Sequence, residues 1–190
     1  MMKLIKDKTK LIRNILIGVS VLFLIGCEDL MTYPSDSHMD GSGDDVSFTW
    51  DMRLPIDENG YYHLEMDRYN HQTLHRMSGR VISTETDRPR RFYKVGWESD
   101  LYWVIGDTLG YVVKGGDTDD WVYVSSDTVY VIQYSFNEFV RTTNWSSYSD
   151  EDGVFHNMIA PVKTMIGDTL NVGAYDSWGN LREVFSIVLD

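Results

Sequence analysis

The chain has 190 residues, with 17 Lys+Arg against 29 Asp+Glu, one Cys and six Trp. That length allows one ordinary domain or two small ones, and a 43% hydrophobic, 24% charged composition is that of a globular protein. A single Cys excludes an internal disulfide and a Cys-based zinc site. A net charge of −12 argues against a nucleic-acid surface, which needs Lys/Arg patches for phosphate.

The charge is unevenly distributed. Residues 1–26 carry Lys3, Lys6, Lys8, Lys10 and Arg13 against Asp7, a net of +4, so residues 27–190 carry a net of −16. The basic stretch runs into an apolar segment from Ile15 to Ile25, which ends at Gly26-Cys27. That segment falls short of the about 20 residues a bilayer span takes. It has the length and flanks of a secretory signal core. Leu24-Ile25-Gly26-Cys27 resembles a bacterial lipobox at all four positions. The resemblance implies a signal peptide over 1–26, cleavage between Gly26 and Cys27, and a lipid on the Cys27 thiol. A thiol is the one side chain here nucleophilic enough to be alkylated. The acyl chains would hold the protein on a bacterial envelope membrane, with the outer membrane expected, facing either the periplasm or the cell surface. The alternative is a buried Cys after an uncleaved anchor.

Residues 27–45 are dominated by Gly, Ser, Pro and Asp without an apolar period, and read as a flexible, self-repelling tether. From Val46 the period is two. Val46, Phe48, Trp50, Met52 and Leu54 alternate with polar residues, Asp57-Glu-Asn-Gly60 supplies turn chemistry, and Tyr62, Leu64 and Met66 alternate again. This predicts an N-terminal hairpin over 46–67, within a segment 46–72. Further strands are expected over 74–83, 91–98, 101–106, 110–114, 121–125, 128–134, 168–176 and 182–189, all rich in Val, Ile, Tyr, Trp and Thr. No window after residue 27 reads as an amphipathic helix of three turns. The fold class expected is all-β, an antiparallel immunoglobulin-like or transthyretin-like sandwich over 46–190.

One block carries a family resemblance. Ser78-Gly-Arg-Val-Ile-Ser-Thr-Glu-Thr-Asp-Arg-Pro89 followed by Tyr93-Lys-Val-Gly-Trp97 is similar to the opening of a carboxypeptidase regulatory-like domain, and Ser149-Asp-Glu-Asp-Gly-Val-Phe155 to its later turn. Asp87 and Arg88 stand where that family usually has Gly, and 99–147 is a long insertion into the 73–190 sandwich. The resemblance implies a transthyretin-like sandwich acting as a non-catalytic accessory module. A generic immunoglobulin-like sandwich reads almost the same way.

Ile105-Gly-Asp-Thr-Leu109 recurs as Ile166-Gly-Asp-Thr-Leu170, with Asp127-Thr-Val129 a shorter version. Gly takes the turn, Asp accepts backbone hydrogen bonds and Thr enters a strand. The echo leaves open one elaborated sandwich or two stacked ones. The same triplets resemble a bacterial O-glycosylation sequon, which would make Thr108, Thr128 and Thr169 glycan acceptors; the alternative is a plain strand-entry turn. Asn144-Trp-Ser146 fits the N-glycosylation pattern, which a bacterial lipoprotein normally does not use.

No catalytic residue is nominated. His71 and His75 lack the Glu of a zincin motif, and on a strand they would stand about 13 Å apart. No nucleophile elbow, Walker loop or dinucleotide fingerprint is present. Glu98 and Asp100 form the nearest carboxylate pair for a small hydrolase. Asp117, Asp119, Asp120, Asp150 and Asp152 group hard oxygen ligands that could hold a structural Ca2+, in turns that favour the same residues without any ion. Beyond the lipid on Cys27 no cofactor is expected. The six Trp and 12 Tyr suit either a thick aromatic core or exposed rings that stack on sugars or enter a protein interface. The expectation is therefore a lipid-anchored, non-catalytic binding or structural module with a protein or glycan partner and no nucleic acid, the carbohydrate-binding reading being the alternative.

Overall fold

In a computed structural model, residues 45–115, 121–132 and 138–190 are described. Asp44–Asp190 forms one compact unit. Thirteen strands run in chain order as β1 (Val46–Asp51), β2 (Tyr62–Leu64), β3 (His75–Ser83), β4 (Lys94–Ser99), β5 (Leu101–Val104), β6 (Gly110–Lys114), β7 (Trp121–Ser125), β8 (Val129–Ile132), β9 (Phe139–Arg141), β10 (Ser146–Tyr148), β11 (Val154–Ile159), β12 (Thr169–Tyr175) and β13 (Leu181–Leu189). A 3-10 turn, Lys163–Met165, precedes β12. The all-β class is as expected.

Three sheets form, in the orders β1-β3-β11, β10-β4-β12-β13-β2 and β8-β7-β6-β5-β9. Every pair is antiparallel except β13 with β2. The first two sheets face each other as a sandwich. Alternation decides which side chains meet: Met77 and Val81 of β3, Val95 and Trp97 of β4, Leu170, Val172 and Ala174 of β12, and Phe185, Ile187 and Leu189 of β13 are all buried. The third sheet joins the same core through Leu101 and Tyr111, with Trp103, Val113 and Val124 packed against it. It occupies the interval 101–141, inside the segment read as an insertion.

The expected hairpin over 46–67 does not form. β1 pairs with β3 in the first sheet, Trp50 opposite Gly79, while β2 crosses to the second sheet and runs parallel to β13. The turn after Asp57 is nonetheless made: Asp57 Oδ1 accepts the amides of Asn59 and Tyr61, both at 2.9 Å, and Gly60 has φ +88°. Pairing with β3 turns Phe48 and Trp50 of β1 toward the aromatic core. Trp50 lies 5.5 Å from Phe155 and 5.3 Å from Phe185, both edge-on, and 6.0 Å from Trp97.

Three further strands, β9, β10 and β11, escaped the alternation. β10 is three residues long, and β11 places Asn157 inward between Phe155 and Ile159, so its pattern carries a polar residue where an apolar one would announce a strand. Asn157 turns its Oδ1 to the Met158 amide, 2.8 Å.

Gly79 makes the aromatic centre possible. A Cβ there would stand 2.5 Å from Phe155 Cζ and 2.7 Å from the Thr49 carbonyl oxygen. The second contact is backbone and cannot swing away. Gly79→Ala should therefore cost about 1–3 kcal/mol, the range for overpacking a dense core. The check is the midpoint of urea unfolding, with Ser78→Ala, on the opposite face of the same strand, staying close to wild type.

Candidate functional site

The third sheet ends in a hairpin whose outer strand is unlike the rest of this acidic chain. β7 and β8 pair Trp121 with Ile132, Val122 with Val131, Tyr123 with Tyr130 and Val124 with Val129. Alternation puts Val122, Val124, Val129 and Val131 on one face, the face whose Val124 packs on the core. Trp121, Tyr123, Tyr130 and Ile132 take the other. The valine face runs past the edge of the core, so Val129 and Val131 remain 66% and 68% exposed, with Tyr130 at 51%. Among the described residues β8 pairs with β7 alone.

Its backbone polarity follows from the turn. The Ser125 amide donates to the Thr128 carbonyl at 2.8 Å, so 125 and 128 are a hydrogen-bonded pair. Such pairs alternate along an antiparallel ladder. Tyr123 with Tyr130 is then bonded, whereas Val124 with Val129 and Val122 with Val131 are not. Val129 and Val131 consequently point their N–H and C=O groups away from β7.

The same hairpin shows what the repeated pentapeptide does. Gly106 and Gly167 both take positive φ, +81° and +93°. The Asp after each accepts a tyrosine hydroxyl from a neighbouring strand: Tyr123 donates to Asp107 Oδ2 at 2.6 Å, and Tyr111 donates to Asp168 Oδ2. The Asp107 bond pushes the Tyr123 hydroxyl up to about 12. Burial, then Asp168, raises Tyr111 as well. The Tyr123 ring crosses Gly110, where a Cβ would lie 2.4 Å from the ring. The two copies differ in what they bury. Leu170 is fully buried, while Leu109 and Ile105 are exposed. Gly110 opposite Ser125 places that exposed turn at the same end of the sheet as the β7–β8 turn. Thr108 and Thr128, two of the three candidate glycan acceptors, therefore share one end of the sheet and are exposed, whereas Thr169 is half-buried at the start of β12.

The other candidates are dispersed. Cys27, Gly26, Asp117, Asp119 and Asp120 lie outside the described residues. Asp150 Oδ1 accepts the amides of Asp152 and Val154 at 2.9 and 2.8 Å, which closes its own turn. The Asp152 carbonyl accepts Arg80 Nε at 2.9 Å. That turn also joins the two halves of the family-like pattern: the Val81 amide donates to the Gly153 carbonyl, and the Phe92 amide to that of Ser149. Among the described residues no three His, Cys, Asp or Glu side chains cluster as for a metal. Glu98 and Asp100 serve different partners. Glu98 Oε2 accepts the Tyr175 hydroxyl at 3.3 Å, and Asp100 accepts the Asn171 amide and Nδ2 at 2.9 and 2.7 Å. Burial nevertheless raises the Asp100 carboxyl above the usual range against those two bonds. His75 meets the Met52 carbonyl, and His71 stands edge-on to Trp103. A shallow cleft beside His71, Lys163 and Thr108 has no carboxylate in its lining. Of the six Trp, Trp97 is core, Trp50 and Trp103 pack on it, Trp121 meets Tyr102 and Phe139, and Trp145 and Trp178 are exposed.

A second surface lies on the solvent side of the five-stranded sheet of the sandwich. Gly96 and Gly173 leave its floor bare, and the Tyr175 ring lies along it, 3.0–3.4 Å from where a Gly173 Cβ would be. The ring reaches Glu98 at one end, and Val184 of β13 stands opposite Gly173.

The sequence signals for these surfaces are modest. An uncharged strand at the end of a meander is visible as Thr128–Asn137, a stretch without a charged residue. The ring-over-glycine floor has no signal beyond Gly at alternate strand positions. No protein-family model matches the chain, and no curated protein matches it.

Asp150→Ala should lower stability by about 1 kcal/mol through loss of the two amide bonds. The loss should be the same in calcium and in chelator, read as the shift of melting temperature in each. A shift confined to the calcium arm would mean that Asp150 ligates the ion.

Proposed function

We propose that this chain is a lipid-anchored bacterial envelope protein whose acidic β-sandwich is a non-catalytic binding module. The sandwich presents the β8 edge to a protein. The exposed, uncharged β8 edge carries this reading. A strand with unspent N–H and C=O groups is a template for a further strand, and proteins commonly blunt such edges with Lys, Pro or a cover. Here Val129 and Val131 offer backbone bonds on the edge, and with Tyr130 they offer apolar contact on both faces, the combination used in recognition by strand addition. The lipobox-like Leu24-Ile25-Gly26-Cys27 supports the anchor, and the Gly/Ser/Asp tether after it supplies reach.

Two measurements test it. Cys27→Ala should block processing and leave the unacylated, uncleaved precursor, read as a higher mass than the wild-type mature protein; a membrane-bound protein of mature length from the variant contradicts the anchor. In envelopes treated with a short cross-linker, the adducts of the wild-type protein should vanish in the Val129→Lys/Val131→Lys variant, both positions being exposed and so tolerant of Lys. Adducts that persist contradict the edge.

The Tyr175 floor favours a second reading, a neutral glycan stacked on the ring with hydroxyls bonded to Glu98. The net charge of −16 in residues 27–190 disfavours anionic polysaccharides. Migration of the protein should be retarded in gels containing neutral glucan or mannan, and Tyr175→Ala should abolish the retardation. Equal migration with and without polymer removes this reading.

A further inference from the structure

We infer that the partner of the β8 edge is the β8 edge of a second copy of this chain, the two meanders joining into one ten-stranded sheet. The inference rests on the protein-binding reading above and names its partner.

Charge selects the edge. Two copies of a chain with a net charge of −16 over residues 27–190 repel, so they can meet only where no carboxylates are brought together. Among the described residues the sheets offer five other edge strands, and each carries or borders charge. β1 ends in Asp51 and follows Asp45; β2 lies between Asp57-Glu58 and Glu65; β9 holds Arg141 after Glu138. β10 and β11 flank Asp150-Glu-Asp152. β8 alone sits in an uncharged stretch, Thr128–Asn137, whose nearest acid before it is Asp127 in the turn.

Hydrogen-bond polarity selects the register. Val129 and Val131 point their backbone groups outward, and Tyr130 points its own toward β7. A two-fold axis perpendicular to the sheet and centred on Tyr130 sets Val129 opposite Val131 of the second copy, and the reverse. Each such pair exchanges two N–H···O=C bonds, so the three residues of each strand satisfy every outward backbone group they hold. Tyr130 then faces its own counterpart as a non-hydrogen-bonded pair, the type with the closer side chains. All four valines fall on one face and the two tyrosines on the other, so the exposed Val129 and Val131 of both copies cover one another. The symmetry is closed, so the pairing stops at two.

Disulfide trapping of the full-length chain tests both pairing and register. With Cys27→Ser as background, an introduced thiol is the only one present. Tyr130→Cys should give a covalent dimer on mild oxidation, because the two Cβ atoms face each other at disulfide distance. Val131→Cys should not, because its counterpart lies two residues away across the axis. A dimer from Val131→Cys instead, or from both equally, overturns the register. No dimer from either, with the Cys27→Ser chain sedimenting as a monomer, overturns self-pairing. If the Lys variants of the previous section still abolish envelope adducts in that case, the edge serves a different protein and the binding reading stands. If those adducts were never formed, both fall.

Discussion

The close approach of Phe155 to Gly79 is the contact on which the sandwich depends. It lets β11 lie against β3 with a large ring in the space a side chain would fill, and it brings that ring within reach of Trp50, Trp97 and Phe48. Trp50 completes the cluster from β1 and Phe185 from β13, so four strands of two sheets converge on one aromatic centre. Each ring brings large apolar area, roughly 1.5–3 kcal/mol on full burial. Trp97 adds a bond from its indole Nε1 to Ser147 Oγ, 2.9 Å, which satisfies its own N–H and ties the short β10 to the sheet edge. Removing the space at Gly79 would therefore disturb more than a local contact.

The same device recurs outside the core. Tyr123 crosses Gly110 and Tyr175 crosses Gly173, each hydroxyl ending on a carboxylate, Asp107 and Glu98. A ring laid over a strand glycine shields backbone that would otherwise be bare, and the carboxylate fixes its direction. Tyr111 with Asp168 repeats the hydroxyl-to-carboxylate half of the arrangement without the glycine. The repeated pentapeptide is thus a tyrosine acceptor placed just after a glycine turn. Its two copies are used differently: Leu170 enters the core, and Leu109 stays in solvent near the free edge.

Period-two alternation made the fold class legible, since the buried positions of β3, β4, β12 and β13 follow it almost without exception. Pairing was less legible. Two strands joined by a good turn look like a hairpin, yet the turn at Asp57 forms while β1 and β2 go to different sheets, because the sequence shows that Phe48 and Trp50 need burial but not against what. β11 was hidden by the inward Asn157. The free edge was readable only as a lack, ten residues without charge, and a lack acquires meaning once β8 is seen to be outermost. The Tyr175 floor was not readable, since it needs Gly96 to fall opposite Tyr175 and Gly173 opposite Glu98 across β4 and β12.

The start of β1 has a mechanical consequence. The Asp45 carbonyl accepts both the amide and the hydroxyl of Thr84, at 2.9 and 2.7 Å, immediately before the ladder that runs from Val46–Ser83 to Asp51–Ser78. Any pull on the chain ahead of Val46 is borne first by this forked clasp and only then by the strand. Because β1 is an edge strand held on one side, a load on the chain ahead of it meets the two Thr84 bonds before it meets the β1–β3 ladder.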